Sequence, residues 1–225
     1  MTTCPRSPPP LPTVEVLFFD GFDDLDSVAP LEILTAAGLS VRPVRVPGHA
    51  PAVSSAHGLR LVVDDELGEA QAQDRVGSVA VVPQVVVVPG GGWRDRSAIG
   101  VRSLCQGELP ALLARRHDAG TVIASVCTGA MLLAASGLLT GRPAVTNRIA
   151  LDDLQRAGAD VRREARVVDD GSVVTCGGPA AGLDLGLRLV ERFCGADAAA
   201  HAAQRLEHEP VGPVLITDPG RPAAA

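Results

Sequence analysis

Short apolar runs that stop abruptly at glycine, proline or polar residues are the feature that most constrains the fold of this chain. Four consecutive valines, 85–88, run directly into the Pro-Gly-Gly-Gly segment 89–92. Residues 14–19 form a second such run, and residues 121–126 form a third that leads straight into Cys127. Runs of this length, ended by turn residues, are typical of strands buried on both faces of a parallel sheet.

Between these runs the residue spacing becomes helical. A first helix is expected after residue 25, with Asp26 or Ser27 as its cap and Gly38 as its end. The other predicted helices cover residues 101–118, 128–136, 180–193 and 196–208, and further strands are predicted at 40–47, at 58–63 and around the Asp169-Asp170-Gly171 turn. Strands that alternate with helices predict an α/β protein with a doubly wound sheet.

The length and composition set the class of protein. A chain of 225 residues suits one α/β domain, which we place at residues 13–210, after a disordered, proline-rich lead-in (1–12) and before an extended tail (211–225). A net charge of -6 argues against nucleic acid as a partner, and no apolar run is long enough for a membrane helix. A cytoplasmic location is therefore expected. All 20 basic residues are arginine, so lysine Schiff-base chemistry is excluded.

Cys127 is the predicted nucleophile. In a doubly wound sheet the carboxyl ends of parallel strands line one crevice, so segments 20–26, 89–92 and 126–129 are expected to converge there. Cys127 stands where a strand runs into a helix without a loop, and a helix N-terminus favours the thiolate form. The other cysteines (Cys4, Cys105, Cys176 and Cys194) have no such position, and five widely spaced cysteines favour neither a disulfide framework nor a metal site.

Candidate partners for the thiol come from the two other strand ends. The amides of Gly90 and Gly91 are candidates to stabilise an anion that forms on the substrate, although a plain tight turn explains the same glycines. Asp26 is a candidate general acid and base, with a helix cap as the alternative reading and Asp20, Asp23 and Asp24 as competitors. The five histidines do not fall at predicted strand ends, so a Cys-His pair is not indicated.

Together these segments resemble the DJ-1/PfpI superfamily, a flavodoxin-like branch of the class I glutamine amidotransferase-like fold. The residues that carry the resemblance lie in order along the chain: Phe-Asp-Gly-Phe-Asp-Asp-Leu-Asp (19–26), Val-Pro-Gly-Gly-Gly (88–92), Ser-Val-Cys-Thr-Gly-Ala (125–130), Ala-Ser-Gly-Leu-Leu-Thr-Gly-Arg (135–142) and Gly-Gly-Pro-Ala-Ala-Gly-Leu-Asp (177–184). The resemblance implies a flavodoxin-like, mostly parallel sheet with helices on both faces, and a homodimer.

Within the superfamily the chain looks most like isocyanide hydratases. The Leu25-Asp26 step matches that branch and supports Asp26 as the acid/base partner of Cys127. The resemblance implies that Gly90, Gly91 and Thr128 lie beside the substrate and that Asp184 supports the site. Protease-like members have histidine where this chain has Thr128. The branch usually reads Thr-His-Trp where this chain has Thr146-Asn147-Arg148, so Asn147 is assigned a supporting role in a changed pocket wall.

The resemblance implies a cysteine-dependent hydratase that converts an isocyanide, or a similar small electrophile, into an N-substituted formamide without a metal or an organic cofactor. Two alternatives stay open. One is a glyoxalase-like or amide-hydrolysing enzyme that uses the same pair of residues. The other is a redox-sensing or ligand-binding protein in which Cys127 is oxidised without turnover.

Overall fold

A computed structural model describes residues 11–69, 85–94 and 99–217. Its centre is a seven-stranded sheet in the order β11-β9-β10-β6-β5-β1-β2. The strands are Thr13–Phe18 (β1), Ser40–Arg45 (β2), Ala52–Ser54 (β3), Arg60–Val62 (β4), Val85–Val88 (β5), Val122–Ser125 (β6), Pro143–Ala144 (β7), Asp160–Val161 (β8), Val167–Asp170 (β9), Val173–Cys176 (β10) and Val214–Ile216 (β11).

All neighbouring pairs in the central sheet are parallel except β9 and β10, which form the antiparallel hairpin predicted around Asp169-Asp170-Gly171. Every residue of β5 and β6 is buried, as expected for strands covered on both faces. The predicted flavodoxin-like, mostly parallel α/β fold is therefore confirmed.

Seven α-helices cover the sheet within the described ranges: Asp24–Ala36 (α1), Val101–Leu104 (α2), Leu109–Asp118 (α3), Ala130–Ala135 (α4), Leu151–Arg156 (α5), Ala181–Cys194 (α6) and Ala196–Arg205 (α7). Helices α1, α6 and α7 pack on one another, and α2, α3 and α4 form a second group. None of the helices in the described ranges is long and apolar enough to cross a membrane.

Three predicted elements differ from the structure. The single helix expected over 101–118 is two helices, because Pro110 lacks an amide hydrogen and fits only the first turn of a helix, which starts α3 at Leu109. The strand expected at 58–63 belongs to the separate hairpin β3-β4. The cap of α1 is Asp23, whose side chain accepts from the Leu25 N–H at 3.3 Å, so neither Asp26 nor Ser27 is the cap.

The segment expected as an extended tail takes part in the sheet. Strand β11 pairs with β9, and Leu215 packs against Val168, so residues 211–217 continue the fold beyond residue 210. Most of the predicted lead-in, the end of the tail (218–225) and Cys4 lie outside the described residues. So does 70–84, most of the segment 64–84, for which the sequence predicts no element.

A buried ion pair joins α3 to strand β1 of the sheet. Arg116 Nη2 donates to Glu15 Oε2 at 2.6 Å, and the exposed fractions of the two side chains are 3% and 5%. The same guanidinium donates to the Gly68 carbonyl at 2.9 Å, and Arg42 reaches the second oxygen of Glu15 from the sheet edge. Removing Arg116 leaves a buried carboxylate with one half-exposed partner.

We expect Arg116→Met to lower the free energy of unfolding by about 3 kcal/mol, because an uncompensated buried charge is costly. The double variant Glu15→Leu/Arg116→Met is expected to recover most of this loss. Arg115→Met is the matched control. Arg115 pairs with Glu69 in solvent, so this substitution is expected to leave the free energy of unfolding unchanged. Urea denaturation measures all three, and equal losses for Arg115→Met and Arg116→Met would contradict the account.

Candidate active site

The three predicted strand ends meet at one edge of the sheet and are hydrogen-bonded to one another. The Gly90 N–H donates to Asp26 Oδ2 at 3.0 Å, and the Gly91 N–H donates to Thr128 Oγ1 at 3.1 Å. The Asp23 N–H donates to the Gly90 carbonyl at 2.9 Å. The start of α1, the loop after β5 and the turn after β6 therefore form one unit.

Cys127 lies at the centre of this unit in an unusual backbone conformation. Its φ angle is +57°, in the left-handed region that side chains other than glycine rarely adopt. Its N–H donates to the Gly177 carbonyl at 2.9 Å, and its carbonyl accepts from the Thr146 hydroxyl at 2.7 Å. These bonds hold a strained residue in place, as is common at functional sites.

Glycines make room for this arrangement. A Cβ at Gly178 would lie 2.6 Å from the Cys127 sulfur, and a Cβ at Gly90 would lie 2.8 Å from Asp26 Oδ2 and 2.6 Å from Thr128 Oγ1. Side chains at either position would displace the cysteine or its neighbours. Glycine at these two positions therefore allows the backbone to lie close to the side chains of Cys127, Asp26 and Thr128.

The expected anion-binding role of Gly90 and Gly91 is not supported by their contacts. Both amides already donate to side chains of the site, one to Asp26 and one to Thr128. Their place in the structure is to orient these two side chains.

Asp26 is the carboxyl group that the site buries. Its side chain has no exposed surface, and Oδ1 has no hydrogen-bond partner among the described residues. The competing carboxylates are engaged elsewhere: Asp20 accepts from the Ser54 N–H, Asp23 caps α1, and Asp24 pairs with the exposed His57. Asp26 is thus free to exchange a proton on one oxygen while Gly90 holds the other.

Burial governs the titration of the pair. Desolvation, and then the charge of Asp23, raise the pKa of Asp26 to about 7, against the opposing effects of the Gly90 N–H and the Cys127 thiol. Desolvation, and then the charge of Asp26, raise the pKa of Cys127 to about 12. The helix N-terminus that was expected to favour the thiolate is short, since only a 3₁₀ turn and the six-residue α4 follow the sulfur, and burial shifts the thiol pKa in the opposite direction.

Asn147 is the polar side chain that reaches the sulfur. Its Nδ2 donates to Cys127 Sγ at 3.1 Å, while its Oδ1 accepts from the Ile149 N–H at 3.1 Å. The second bond caps the short 3₁₀ turn Arg148–Ala150 and fixes which end of the amide faces the thiol. Asn147 and the Thr128 N–H both lower the pKa of Cys127, so they favour the thiolate that chemistry requires.

Asp184 does not touch the thiol. It lies on α6 and accepts from Arg166 Nε at 2.6 Å, from His208 Nε2 at 3.1 Å and from the Val211 N–H at 3.2 Å. Arg166 in turn accepts through its carbonyl from the Gly177 N–H at 3.0 Å. Asp184 therefore reaches the Cys127 turn through the backbone beside Gly177, and it also holds the Arg166 side chain.

The remaining described cysteines are not in disulfides, and of these the buried Cys176 lies near Cys127 and Asp26. Burial raises the pKa of the Cys105 thiol to about 11, and it also raises the pKa values of Cys176 and Cys194. Within the described ranges no group of three or more histidine, cysteine or acidic side chains is arranged to hold a metal ion.

Sequence reasoning missed the structural roles of Thr146, Gly177 and Gly178. The signal was present, because Gly177-Gly178 follows β10, the strand beside β6, and so lies at the same carboxyl edge of the sheet. Thr146 could not have been found in this way, since its link to Cys127 depends on where β7 packs.

The model of the DJ-1/PfpI family matches residues 12–192. The chain belongs to the DJ-1/PfpI family. A DJ-1/PfpI relative, the isonitrile hydratase of Pseudomonas putida, is 37% identical over 64% of this chain and 59% of its own length. The Parkinson disease protein 7 homolog of Danio rerio is 28% identical over 82% of this chain and 91% of its own length. A deglycase of Thermococcus kodakarensis is 26% identical over 72% of this chain and 87% of its own length.

Solved DJ-1/PfpI structures have the same fold. A ThiJ/PfpI family protein from Pseudomonas syringae matches with a TM-score of 0.73 at 28% identity, covering 91% of this chain and 78% of that chain. Drosophila melanogaster DJ-1beta matches with a TM-score of 0.72 at 21% identity, covering 89% of this chain and 100% of its own.

The two contacts of Asn147 can be separated by substitution. Asn147→Asp keeps the oxygen that caps the 3₁₀ turn but replaces the donor to sulfur by a negative charge, whereas Asn147→Ala loses both bonds. For alkylation of Cys127 by iodoacetamide at pH 8, measured by peptide mass spectrometry, we expect the order wild type, then Ala, then Asp, with the Asp variant about tenfold slower than wild type.

The thermal midpoints are expected to follow a different order, with the Asp variant near wild type and the Ala variant lower. If Asn147→Asp were alkylated as fast as wild type while Asn147→Ala were slow, Asn147 would be only a cap.

The buried carboxyl of Asp26 should also show in the pH dependence of stability. Its pKa in the folded protein lies above the ordinary value of 3.8, so the folded state binds this proton more tightly and wild-type stability falls as pH rises from about 4 to about 7. Asp26→Asn removes this fall, so its stability relative to wild type should increase over that window by up to about 4 kcal/mol.

Asp24→Asn is the control on the same helix. Burial raises the pKa of Asp24, but hydrogen bonds from Ser55 and His57 outweigh it and lower the pKa. The Asp24–His57 pair lies near the surface, where solvent screens it, so Asp24→Asn should change the pH dependence of stability between pH 4 and 8 far less than Asp26→Asn does. Urea denaturation at pH 4, 6 and 8 measures both variants, and a pH-independent difference between wild type and Asp26→Asn would contradict the burial argument.

Proposed function

We propose that this protein is a cysteine-dependent hydratase of a small electrophile. The proposed substrate is an isocyanide, and Asp26 is the proposed general acid and base. The observation that carries the proposal is the fully buried Asp26 carboxyl, which interacts with the Cys127 thiol and has one oxygen without a hydrogen bond. The similarity to an isonitrile hydratase supports it, although that match spans 59% of the hydratase.

The first half of the reaction forms a covalent adduct. The thiol proton of Cys127 passes to Asp26 as the sulfur attacks the terminal carbon of R–N≡C. Asp26 then gives the proton to that carbon, which yields the thioimidate R–N=CH–S–Cys127. A carboxyl with a pKa of about 7 suits both halves of this transfer at neutral pH.

The second half consumes water. Asp26, ionised after it has protonated the carbon, removes one proton from a water molecule that adds to the thioimidate carbon and passes this proton to the nitrogen of the adduct. The C–S bond then breaks as the remaining hydroxyl proton moves through Asp26 to the sulfur, and R–NH–CHO leaves. The reaction adds one water to one isocyanide, with no change in oxidation state of the protein and no cofactor.

Two hydrogen-bond donors lower the free energy of a negative charge on the sulfur. Asn147 donates to Sγ at 3.1 Å, and the Thr128 N–H also favours the thiolate. Hydrogen bonds to an ionised sulfur are stronger than those to a thiol, so they act when the proton moves to Asp26. When Asp26 is ionised, this arrangement lets the site hold a neutral thiol before the reaction and a charged sulfur as the proton moves to Asp26.

A second candidate uses the same pair on an α-oxoaldehyde or an amide. The similarity to a deglycase and to a DJ-1 homolog over more than 70% of this chain favours keeping it. Consumption of methylglyoxal with formation of lactate, in the absence of glutathione, distinguishes this candidate from the hydratase. Oxidation of Cys127 by mild peroxide without turnover of any of these substrates would favour the redox-sensing alternative.

The roles of Cys127 and Asp26 are tested by comparing turnover with thiol reactivity. For formamide formation from p-tolyl isocyanide we expect no activity in Cys127→Ala and a loss of at least about 100-fold in Asp26→Asn, because a general acid and base is removed. Alkylation of Cys127 by iodoacetamide should be retained or accelerated in Asp26→Asn, since the carboxylate that raises the thiol pKa is gone.

Loss of both turnover and alkylation in Asp26→Asn would indicate that Asp26 only maintains the structure. Absence of turnover in wild type and in Cys127→Ala alike would exclude this class of substrate.

A further inference from the structure

A cavity of about 450 Å³ opens beside the nucleophile. Its lining includes Asn147 and Gly178, the two residues that contact the Cys127 sulfur or limit its position, together with Thr146 and Gly177. A volume in this range suits a small organic molecule. A ligand in this cavity would therefore contact residues that themselves lie against the Cys127 sulfur.

One wall of the cavity carries a guanidinium that the fold holds in place. Arg166 Nε donates to Asp184 at 2.6 Å, and only 3% of the Asp184 side chain is exposed. The two terminal nitrogens of Arg166 have no acceptor among the described residues. Asp184 thus orients Arg166 through its Nε–H. The two terminal nitrogens of the guanidinium remain available to donate to a ligand.

A second guanidinium lies on the same cavity without a partner. Arg148 directly follows Asn147, is exposed, and has no hydrogen bond or ion pair within the described ranges. Arg163, which also lines the cavity, is different because Asp152 and Gln155 accept from it at 2.6 and 2.9 Å. Glu164 is the acidic residue among the lining side chains, so the available donors outnumber it.

We infer that the substrate carries a carboxylate, which Arg148 and Arg166 bind in this cavity while its electrophilic end reaches Cys127. This inference rests on the proposed function for the identity of the electrophile, but the binding of the anion does not depend on it. Planar guanidinium groups match a carboxylate through paired N–H donors.

The anion site is tested with two thiol reagents that share a reactive group and differ in charge. Wild type is expected to react at Cys127 with 3-maleimidopropionate several-fold faster than with N-propylmaleimide. In Arg148→Met this preference should fall about three- to tenfold, whereas Arg148→Lys should retain part of it. Arg163→Met is the matched control and should keep the wild-type preference. Peptide mass spectrometry isolates the rate at Cys127 from the rates at the other cysteines.

Equal preferences in wild type and Arg148→Met, or an equal fall in Arg148→Met and Arg163→Met, would overturn the inference. The first result would show that Arg148 binds no anion, and the second would show a general effect of surface charge. Thermal midpoints of the variants identify any loss of folding, and Arg148→Lys supplies the comparison if Arg148→Met is unstable.

Turnover separates this inference from the proposed function. If both hold, kcat/KM for 4-isocyanobenzoate exceeds that for p-tolyl isocyanide, and Arg148→Met reduces the ratio. If the hydratase proposal fails, neither isocyanide reacts but the charge preference of the maleimides remains. If only the anion site fails, both isocyanides react and the maleimide rates show no preference that depends on Arg148.

Discussion

The hydrogen bond from the Gly90 N–H to the buried carboxyl of Asp26 is the contact on which the site depends. It joins the loop after β5 to the third residue of α1, and the adjacent Gly91 N–H joins the same loop to Thr128. With one oxygen of Asp26 held in this way, the other is buried without a hydrogen-bond partner among the described residues. The parallel sheet supplies the place, because β1, β5 and β6 are neighbours and end at the same edge.

The site keeps features that cost stability. Cys127 has a left-handed backbone at φ +57°, and Asp26 is a carboxyl group with no exposed surface. Each of these is unfavourable by itself, and surrounding contacts such as the bonds from Gly177 and Thr146 maintain them. The burial of Asp26 also suits the proposed chemistry, because a buried acid with a pKa near 7 exchanges protons at neutral pH.

The fold and the place of Cys127 at the carboxyl edge of the sheet could be predicted from sequence because they depend on local patterns. The valine run of β5, the joint at Cys127 and the order of the family segments indicate the sheet and its active edge. The partners of Asn147 could not be predicted, since its amide reaches the sulfur only because the segment after β7 packs against the Cys127 turn. The direction of the thiol pKa could not be predicted either, because burial depends on tertiary packing and outweighs the effect of a short helix.

The roles of Gly90 and Asp184 show the same limit. Glycines after a strand predict close approach but do not reveal that their amides are already used. Asp184 was placed near the site by resemblance, and the structure adds that it holds Arg166, which lines the same cavity as Asn147. Arg148, which directly follows Asn147, lines this cavity too.

The protonation state of Asp26 is the central claim, and infrared difference spectroscopy tests it most directly. The spectrum of wild type minus Asp26→Asn, recorded between pH 4 and 9, isolates the carbonyl band of the protonated Asp26 carboxyl. The account predicts that this band is present at pH 5 and disappears with a midpoint near pH 7. A band already lost below pH 5 would show that Asp26 has an ordinary pKa and is too weak a base to take the thiol proton, so the proposed proton transfer to and from Cys127 would lose its basis.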